Sequence, residues 1–356
     1  MAGQQRKKTD ETKDRTRSIK CLVWDLDNTL WDGTLLEDGD VRIRETAVSI
    51  IKALDERGIL QSIASRNDYD TAMSRLRELG LEEYFLFPQI NWGSKASSII
   101  AIAASINIST GAIAFIDDQQ FERDEVSHSL SEVLCIDSAD LEGILDRPEF
   151  NPRFVTEDSR RRRRLYLCDL ERKKEEAEFK GSSQEFLESL EMVFIIRPAS
   201  LADLDRVEEL IQRTNQLNTT GYIYTKEELA GFLCSGRHKV MIAGLDDKYG
   251  TYGKIGICVI ECDPGVWTIE LLLMSCRVMS RGVGAAFVSH VASLSRDAGV
   301  RLLAEFVPNR VNRMMYMTYK FAGFREVEHK GQVIVMENDL NRILPIPAYI
   351  DLRSEQ

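Results

Sequence analysis

The chain has only four histidines, and its seven cysteines (Cys21, Cys135, Cys168, Cys234, Cys258, Cys262 and Cys276) include no Cys-x-x-Cys pair. A zinc ribbon and a histidine-built metal centre are therefore excluded, and an odd, scattered set of thiols does not make a disulfide framework. No apolar run approaches the ~20 residues that a membrane-crossing helix needs, and no secretory signal pattern is present. Positive charge is in deficit: 46 Lys and Arg stand against 57 Asp and Glu, for a net charge of −11 and a pI near 5.1. That balance argues against broad nucleic-acid binding and against an anionic membrane surface. The expectation is a cytoplasmic chain in a reducing compartment. At 356 residues and 44% hydrophobic content, it should hold about two domains.

Against these absences stands Lys20-Cys21-Leu22-Val23-Trp24-Asp25-Leu26-Asp27-Asn28-Thr29-Leu30-Trp31. Its apolar part reads as a buried strand that runs into two carboxylates one residue apart. Alternation along a strand puts Asp25 and Asp27 on one face. Two carboxylates held that close repel each other, and a bound cation offsets the repulsion. Hard oxygen donors favour Mg²⁺. Four further strands are expected at Leu60–Ala64, Tyr84–Phe87, Ala112–Ile116 and Val133–Ile136, with helices between them. Strict alternation of strand and helix predicts a parallel sheet covered on both faces. Asp25/Asp27, Ser65, Lys95 and Asp117/Asp118 then fall at or just beyond C-terminal strand ends, where a parallel sheet assembles its site.

Over residues 18–140 this order and spacing resemble the haloacid dehalogenase (HAD) superfamily. The resemblance implies that Asp25 is the nucleophile and Asp27 the general acid and base. It gives Ser65 a bond to the transferring phosphoryl group and Lys95 the task of offsetting negative charge. Asp25, the Asp27 backbone carbonyl and Asp117 would hold Mg²⁺, with Asp118 as the alternative ligand, and Thr29 belongs to the same signature. Ser94 stands where that pattern leads one to expect proline. Superfamily lids are inserted after the first motif or between the second and third. Neither interval is long enough here, so an open, capless site is expected. Such a site admits a phosphate presented on a bulky carrier.

Pro148 and Pro152 end this domain, and five arginines (Arg160–Arg164) follow. The stretch 151–190 reads as an exposed charged linker helix capped by Asp158 or Ser159, or as a basic docking patch for an acidic partner. Strands are then expected from Val193, at Val240–Ala243, at Lys254–Ile260 and from Trp267 to Cys276. The last opens into Arg281-Gly282-Val283-Gly284-Ala285-Ala286 and a helix; a further strand (Arg301–Val307) and helix (Asn309–Phe321) follow. Over residues 192–338 this resembles the GNAT acetyltransferase fold. The resemblance makes Arg281, Gly282 and Gly284 part of a pyrophosphate-binding turn, whose helix N-terminus suits phosphate. Asn312, Tyr316 and Gly323-Phe324 lie downstream. Asn215 and Asn218, in the polar run Arg213–Thr220, either line the acyl site or cap and turn. Cys276, flanked by Arg277 and Arg281, ends the strand as a candidate acyl acceptor. A regular strand would put Glu270 on its face, and His290 is a possible base.

Taken together, Asp25–Gly33, Phe115–Asp118, Arg213–Asn218 and Ser275-Cys276-Arg277-Val278 resemble the FkbH-like family of polyketide pathways, a HAD subfamily IIIC unit fused to a GNAT-like unit. The resemblance spans nearly the whole chain. It implies an enzyme that takes the phosphoglyceryl unit of 1,3-bisphosphoglycerate, dephosphorylates it and loads glycerate on a phosphopantetheinylated acyl carrier protein. The alternative is a small-molecule phosphatase fused to an acyl-CoA-dependent N-acyltransferase. The expected fold class is α/β: a capless HAD-like parallel sheet (18–150), the linker (151–190) and a GNAT-like mixed α/β domain (191–343). A disordered tail (1–17) and a C-terminal tail (344–356) complete the expected organisation.

Overall fold

The structure, a computed structural model, describes residues 18–214 and 216–355. The tail expected over 1–17, and Asn215, lie outside the described residues. The chain divides into two compact units, Met1–Leu167 and Cys168–Gln356.

The first unit runs β1 (Cys21–Trp24), β2 (Trp31–Asp32), α1 (Leu35–Asp38), β3 (Arg42–Ile43), α2 (Glu45–Glu56), β4 (Leu60–Ser65) and α3 (Tyr69–Glu78). It continues through β5 (Gln89–Ile90), α4 (Lys95–Ile106), β6 (Ile113–Asp117), α5 (Gln120–Ser129), β7 (Leu134–Asp137) and α6 (Glu157–Arg160) into α7 (Arg162–Glu178). The parallel sheet has the order β5-β4-β1-β6-β7. All four residues of β1 are buried, which is why the strand is apolar on both faces. Helix α2 turns Ala47, Ile50, Ile51 and Leu54 onto the sheet, as their spacing predicts. The strand expected at Tyr84–Phe87 is replaced by a single bridge from Phe85 to Gln61. Phe87 takes φ +53° and Pro88 follows, so pairing resumes only at Gln89. Between Asp27 and Ser65 lie only the small β2–β3 flap with α1, and α2. Between Ser65 and Lys95 lie only α3, a short turn and β5. No lid domain is inserted among the described residues.

The stretch read as a linker is instead absorbed into the two units. Thr156, rather than Asp158 or Ser159, caps α6 by accepting from the Ser159 N–H at 3.1 Å. Arg163 is buried against Asp55 (3.1 Å) and Glu83 (2.9 Å), and Arg162 donates to the Gly58 carbonyl. Arg160, Arg161 and Arg164 remain exposed. The five arginines therefore do not form one free patch. Farther along α7, Arg172 is 1% exposed. It donates to Asp247 (2.7 and 2.9 Å) and to the Gly250 carbonyl, and lies 3.7 Å above the Tyr252 ring.

The second unit continues with α8 (Ser183–Ser189), β8 (Met192–Pro198), α9 (Leu204–Arg213), α10 (Lys226–Cys234), β9 (His238–Asp247), β10 (Gly250–Asp263) and β11 (Val266–Met274). Then come α11 (Val283–Asp297), β12 (Arg301–Phe306), α12 (Arg313–Phe321), β13 (Phe324–Lys330), β14 (Val333–Asn338) and β15 (Ile350–Ser354). The eight strands are ordered β13-β14-β12-β11-β10-β9-β8-β15. Only the β11–β12 and β8–β15 pairs are parallel. Alternation divides the core. Met241, Cys258 and Leu272 pack with the α11 and α12 side, whereas Val240, Ile257 and Leu271 pack with α9 and α10. The expected α/β class, a parallel sheet without an inserted lid among the described residues followed by a mixed sheet, is the one found.

Two boundaries are corrected. Residues 344–356 are not a loose tail: β15 pairs with β8 from Ile350↔Met192 to Ser354↔Ile196, and buried Ile350 fixes that register. Nor does β11 reach Cys276. It ends at Met274, and its pairing with β10 slips at Glu270, which faces no β10 partner.

Replacing Arg172 by alanine leaves Asp247 buried without its counter-charge. The expected loss is about 3–5 kcal/mol, read as a lower denaturation midpoint followed by emission of Trp267, the second unit's tryptophan.

Candidate active site

The loop after β1 explains its own sequence. Asn28 adopts φ +54°, which asparagine tolerates better than most residues. Its N–H donates to the Gly33 carbonyl (3.2 Å), and its Oδ1 accepts the Gly33 N–H (3.1 Å). Gly33 takes φ +99°, and a Cβ there would lie 2.8 Å from an Asp38 carboxylate oxygen. Asn28 to Gly33 thus close a ring that turns Asp27 back under the flap.

Asp25, at the end of β1, is 5% exposed. Lys95 is the first residue of α4, behind a Ser94 cap that accepts the Ser97 N–H. Serine in place of the expected proline therefore has a local job. Lys95 Nζ donates to Asp25 Oδ1 at 2.5 Å and to Asp117 Oδ2 at 2.8 Å. Burial pushes the Asp25 carboxyl up to about 7; the Lys95 charge opposes that rise, Asp117 adds to it, and hydrogen bonds from Lys95 and the Ser65 hydroxyl oppose it further. Burial disfavours the Lys95 charge, but the two carboxylates outweigh it and its pKa rises. Asp118 is also raised, by burial and by Asp117.

The ligand oxygens of Asp25, Asp117 and Asp118 lie within 4.8 Å of one another, and Asp118 Oδ1 is buried without a hydrogen-bond partner. Three carboxylates against one lysine, with an orphaned oxygen among them, fit a hard divalent cation such as Mg²⁺. Asp27 stands apart from that cluster. Its Oδ1 accepts from Trp31 Nε1 (2.8 Å) and the Leu35 N–H (3.1 Å), and its Oδ2 from Asn67 Nδ2 (3.0 Å). Its carboxylate is thus held in place by three donors.

Thr29 is fully buried and accepts the Asp118 N–H at 3.0 Å, so it positions the metal loop instead of meeting substrate. Asn67, not among the expected site residues, is 1% exposed and holds Asp27, while Asp68 caps α3. The available signal was its position two residues after Ser65 at the same strand end. Arg123, also unforeseen, donates to the Asp117 carbonyl at 2.8 Å and to Asp137.

In the second unit, β11 and β12 pair only from Val266↔Arg301 to Ile269↔Ala304 and then part. The run Leu217–Thr219 fills the gap. The Met274 N–H donates to the Leu217 carbonyl (2.9 Å), the Thr219 N–H to the Leu272 carbonyl (3.0 Å), and the Val307 N–H to the Thr219 carbonyl (2.9 Å). Asn312 Nδ2 donates to the carbonyls of Asn218 (3.0 Å) and Val307 (2.9 Å). Asn218 Oδ1 accepts the N–H groups of Thr220 and Gly221. Asn218 and Asn312 are 2% and 1% exposed. Of the two expectations for Asn218, the cap and turn is the one its side chain makes, and Asn312 likewise spends its side chain on backbone groups.

Gly282 takes φ +76° at the start of α11, and a Cβ there would lie 2.7 Å from Tyr349 Oη. Gly284 has open room beside Met274 and Thr318. Arg281 is buried and paired with Glu176 at 3.1 Å. Cys276 starts a short turn beyond β11, partly exposed. Arg277 beside it donates to the Tyr252 carbonyl at 2.7 Å. The slip in β11 overturns the expectation that Glu270 shares the face of Cys276. Glu270 instead sits 3.9 Å from His238 Nε2 and near Glu261. His290, its pKa lowered by burial, lines a 410 Å³ cavity with His238 and Leu294 that Cys276 does not line.

No family model matches the sequence. No curated protein matches it. Solved structures similar to parts of it are of two kinds. The N-terminal part of BF1531 from Bacteroides fragilis, containing a phosphatase domain complexed with Mg, is 28% identical over 36% of this chain and 40% of that one, with a TM-score of 0.34. The PaiA N-acetyltransferase of Thermoplasma acidophilum in complex with coenzyme A is 16% identical over 41% of this chain and 98% of that one, with a TM-score of 0.34. The ribosomal-protein-S18-alanine N-acetyltransferase of Escherichia coli is 15% identical over 41% of this chain and 92% of that one, with a TM-score of 0.33. No helix among the described residues is long and apolar enough to cross a membrane.

Magnesium at a hundredfold excess over its Kd should stabilise the first unit by about 2.7 kcal/mol, seen as a higher melting temperature than in chelator. Asp118→Asn should shrink that gain. Asn67→Ala should lower phosphatase kcat about tenfold or more while moving the melting temperature little, because it frees Asp27 to rotate.

Proposed function

We propose that the chain is a bifunctional glyceryltransferase and phosphatase of the FkbH-like kind. It takes the phosphoglyceryl unit of 1,3-bisphosphoglycerate, dephosphorylates it and delivers glycerate as a thioester on a phosphopantetheinylated acyl carrier protein, for polyketide extender or starter units. The observation that carries this reading is the pairing, in one chain, of an uncapped Asp25/Lys95/Asp117/Asp118 centre with a partly exposed Cys276 just beyond the end of β11.

In this reading the Cys276 thiolate attacks the acyl phosphate carbon. The C–S bond forms, the C–O bond to phosphate breaks, and phosphate leaves. The carrier thiolate then displaces Cys276, a thioester exchange in which positioning carries the step. For dephosphorylation, Asp25 attacks phosphorus, and the P–O bond to the glyceryl oxygen breaks. That oxygen takes the proton of Asp27. Water, deprotonated by Asp27, then releases phosphate from Asp25. Ser65 bonds the phosphoryl group and Lys95 offsets its charge. Mg²⁺, when held by Asp25, Asp117 and the Asp27 carbonyl, with Asp118 in reach, supplies Lewis-acid neutralisation of the phosphoryl oxygens.

Incubation with 1,3-bisphosphoglycerate, Mg²⁺ and a holo carrier protein, followed by intact mass measurement of the carrier, tests this directly. The wild type should add a glyceryl group. Cys276→Ala should add nothing, and Asp25→Asn should leave the adduct heavier by one phosphate. A carrier of the same pathway that gains no mass would sink the reading. Loading or amine acylation that survives Cys276→Ala would favour the acyl-CoA-dependent N-acyltransferase instead.

A further inference from the structure

Within the second unit, three side chains from three neighbouring strands bring metal-ligating atoms together. His238 opens β9, and its partner across the β9–β10 ladder is Glu261. Directly opposed residues of two strands share a face. Glu261 in turn opposes Thr268 on β11, and Glu270, two residues on, returns to that face. The slip between β10 and β11 falls just there, and it leaves Glu270 facing no β10 residue. Such slips re-aim side chains. The ligand atoms of His238, Glu261 and Glu270 all lie within 4.8 Å of one another. His238 Nε2 stands 3.9 Å from Glu270 Oε2, beyond hydrogen-bond reach. Two donors each ~2.1 Å from a tetrahedral ion would stand about 3.4 Å apart. The imidazole is fixed from two sides. Phe232 stacks on it with ring centroids 4.3 Å apart, and Ser235 Oγ lies 3.2 Å from Nδ1. Nε2 is buried and has no hydrogen-bond partner. A buried ring nitrogen in that state calls for a ligand.

We propose that His238, Glu261 and Glu270 bind a divalent transition metal of the zinc class, at a second site distinct in its ligands from the Asp25/Asp117/Asp118 centre. The donor set makes the choice of ion. Magnesium favours oxygen alone, whereas an imidazole beside carboxylates suits zinc. The scarcity of histidine excludes a centre built from several imidazoles, and this one needs a single ring. With the ring proton on Nδ1 and donated to Ser235 Oγ, the Nε2 lone pair is left for the metal, an outer contact of the kind that orients ligating histidines. A charge of +2 neutralises the two carboxylates. Arg237 Nη2 contacts Glu261 Oε1 at 3.2 Å and so orients that carboxylate from outside. The Glu270 side chain is 3% exposed and that of Glu261 29%, so the ion enters past Glu261. Three protein ligands leave a fourth position open to water or another oxygen donor. Once bound, the ion ties β9, β10 and β11 together at the place where their ladder slips.

The test titrates Zn²⁺ into the full-length chain, stripped of metal by chelator and then kept in excess Mg²⁺ to fill the first unit's centre. Calorimetry should count one tight equivalent more in the wild type than in His238→Ala. Glu261→Gln and Glu270→Gln should each weaken that equivalent about tenfold or more, and Ser235→Ala about tenfold. Cys276→Ala should leave it unchanged. Zinc should also raise the melting temperature of the wild type more than that of His238→Ala. Cobalt(II), used as a coloured probe, should give visible absorption with no thiolate charge-transfer band in the near ultraviolet. Melting curves without zinc check that each variant folds. Glu261 and Ser235 are partly exposed, so their variants keep the test open if His238→Ala fails to fold. Equal zinc equivalents in the wild type and a folded His238→Ala would overturn the site. So would wild-type affinity in both Glu261→Gln and Ser235→Ala, or a cobalt spectrum dominated by thiolate.

Discussion

The first unit depends on one ammonium group shared by two carboxylates. Lys95 joins Asp25 at the end of β1 to Asp117 at the end of β6, and both strand ends are sealed from solvent. At an effective dielectric of about 20, a charge pair at ~4 Å is worth ~4 kcal/mol, and these contacts are shorter. The attraction has to offset the desolvation of three charges, and that is possible only if geometry is held tightly. The supporting parts follow from this demand. Ser94 starts α4 at the residue that places the ammonium. Thr29 and Arg123 hold the two ends of the Asp117–Asp118 peptide group, and the Asn28–Gly33 ring fixes the exit of β1. What looks in the sequence like a scatter of polar residues is a set of restraints on a few charged atoms.

Most of this unit was legible in the sequence because its signals are local. A strand apolar on both faces, Asp-x-Asp at its end and a Lys at the head of an Ile/Ala-rich helix each report a position without reference to the others. The errors came where a backbone detail decided the outcome. Tyr84–Phe87 has strand composition, but the positive φ of Phe87 and the proline after it move the pairing to Gln89. Asn67 is one polar residue among several after β4, and only the tertiary fold brings it to Asp27. Arg163 and Arg172 lie in a stretch that reads as a solvated charged helix; their burial depends on Asp55, Glu83 and Asp247, distant in sequence.

The second unit shows the reverse balance. Several of its strands were legible as apolar runs, but the surroundings of its candidate residues were not. Asn218 and Asn312 carry polar side chains in loops, a pattern that reads as ligand binding. In the fold they staple the segment that fills the space where β11 leaves β12. Glu270 and Cys276 looked like members of one face under strict alternation. A one-residue slip and an early strand end separate them, and period-two reasoning has no means of anticipating either.

The strand β15 has a practical meaning for anyone cutting the molecule. A chain ended at Ile343, where sequence composition places the domain edge, would lose the partner of β8 from Met192 to Ile196. It would bare a row of backbone donors and acceptors on a strand whose inner residues are fully apolar, an invitation to sheet-to-sheet association. It would also remove Tyr349 from above Gly282 and open the start of α11 to solvent. Insolubility of such a shortened protein, or new anion affinity in it, would then report the missing strand and not the native enzyme.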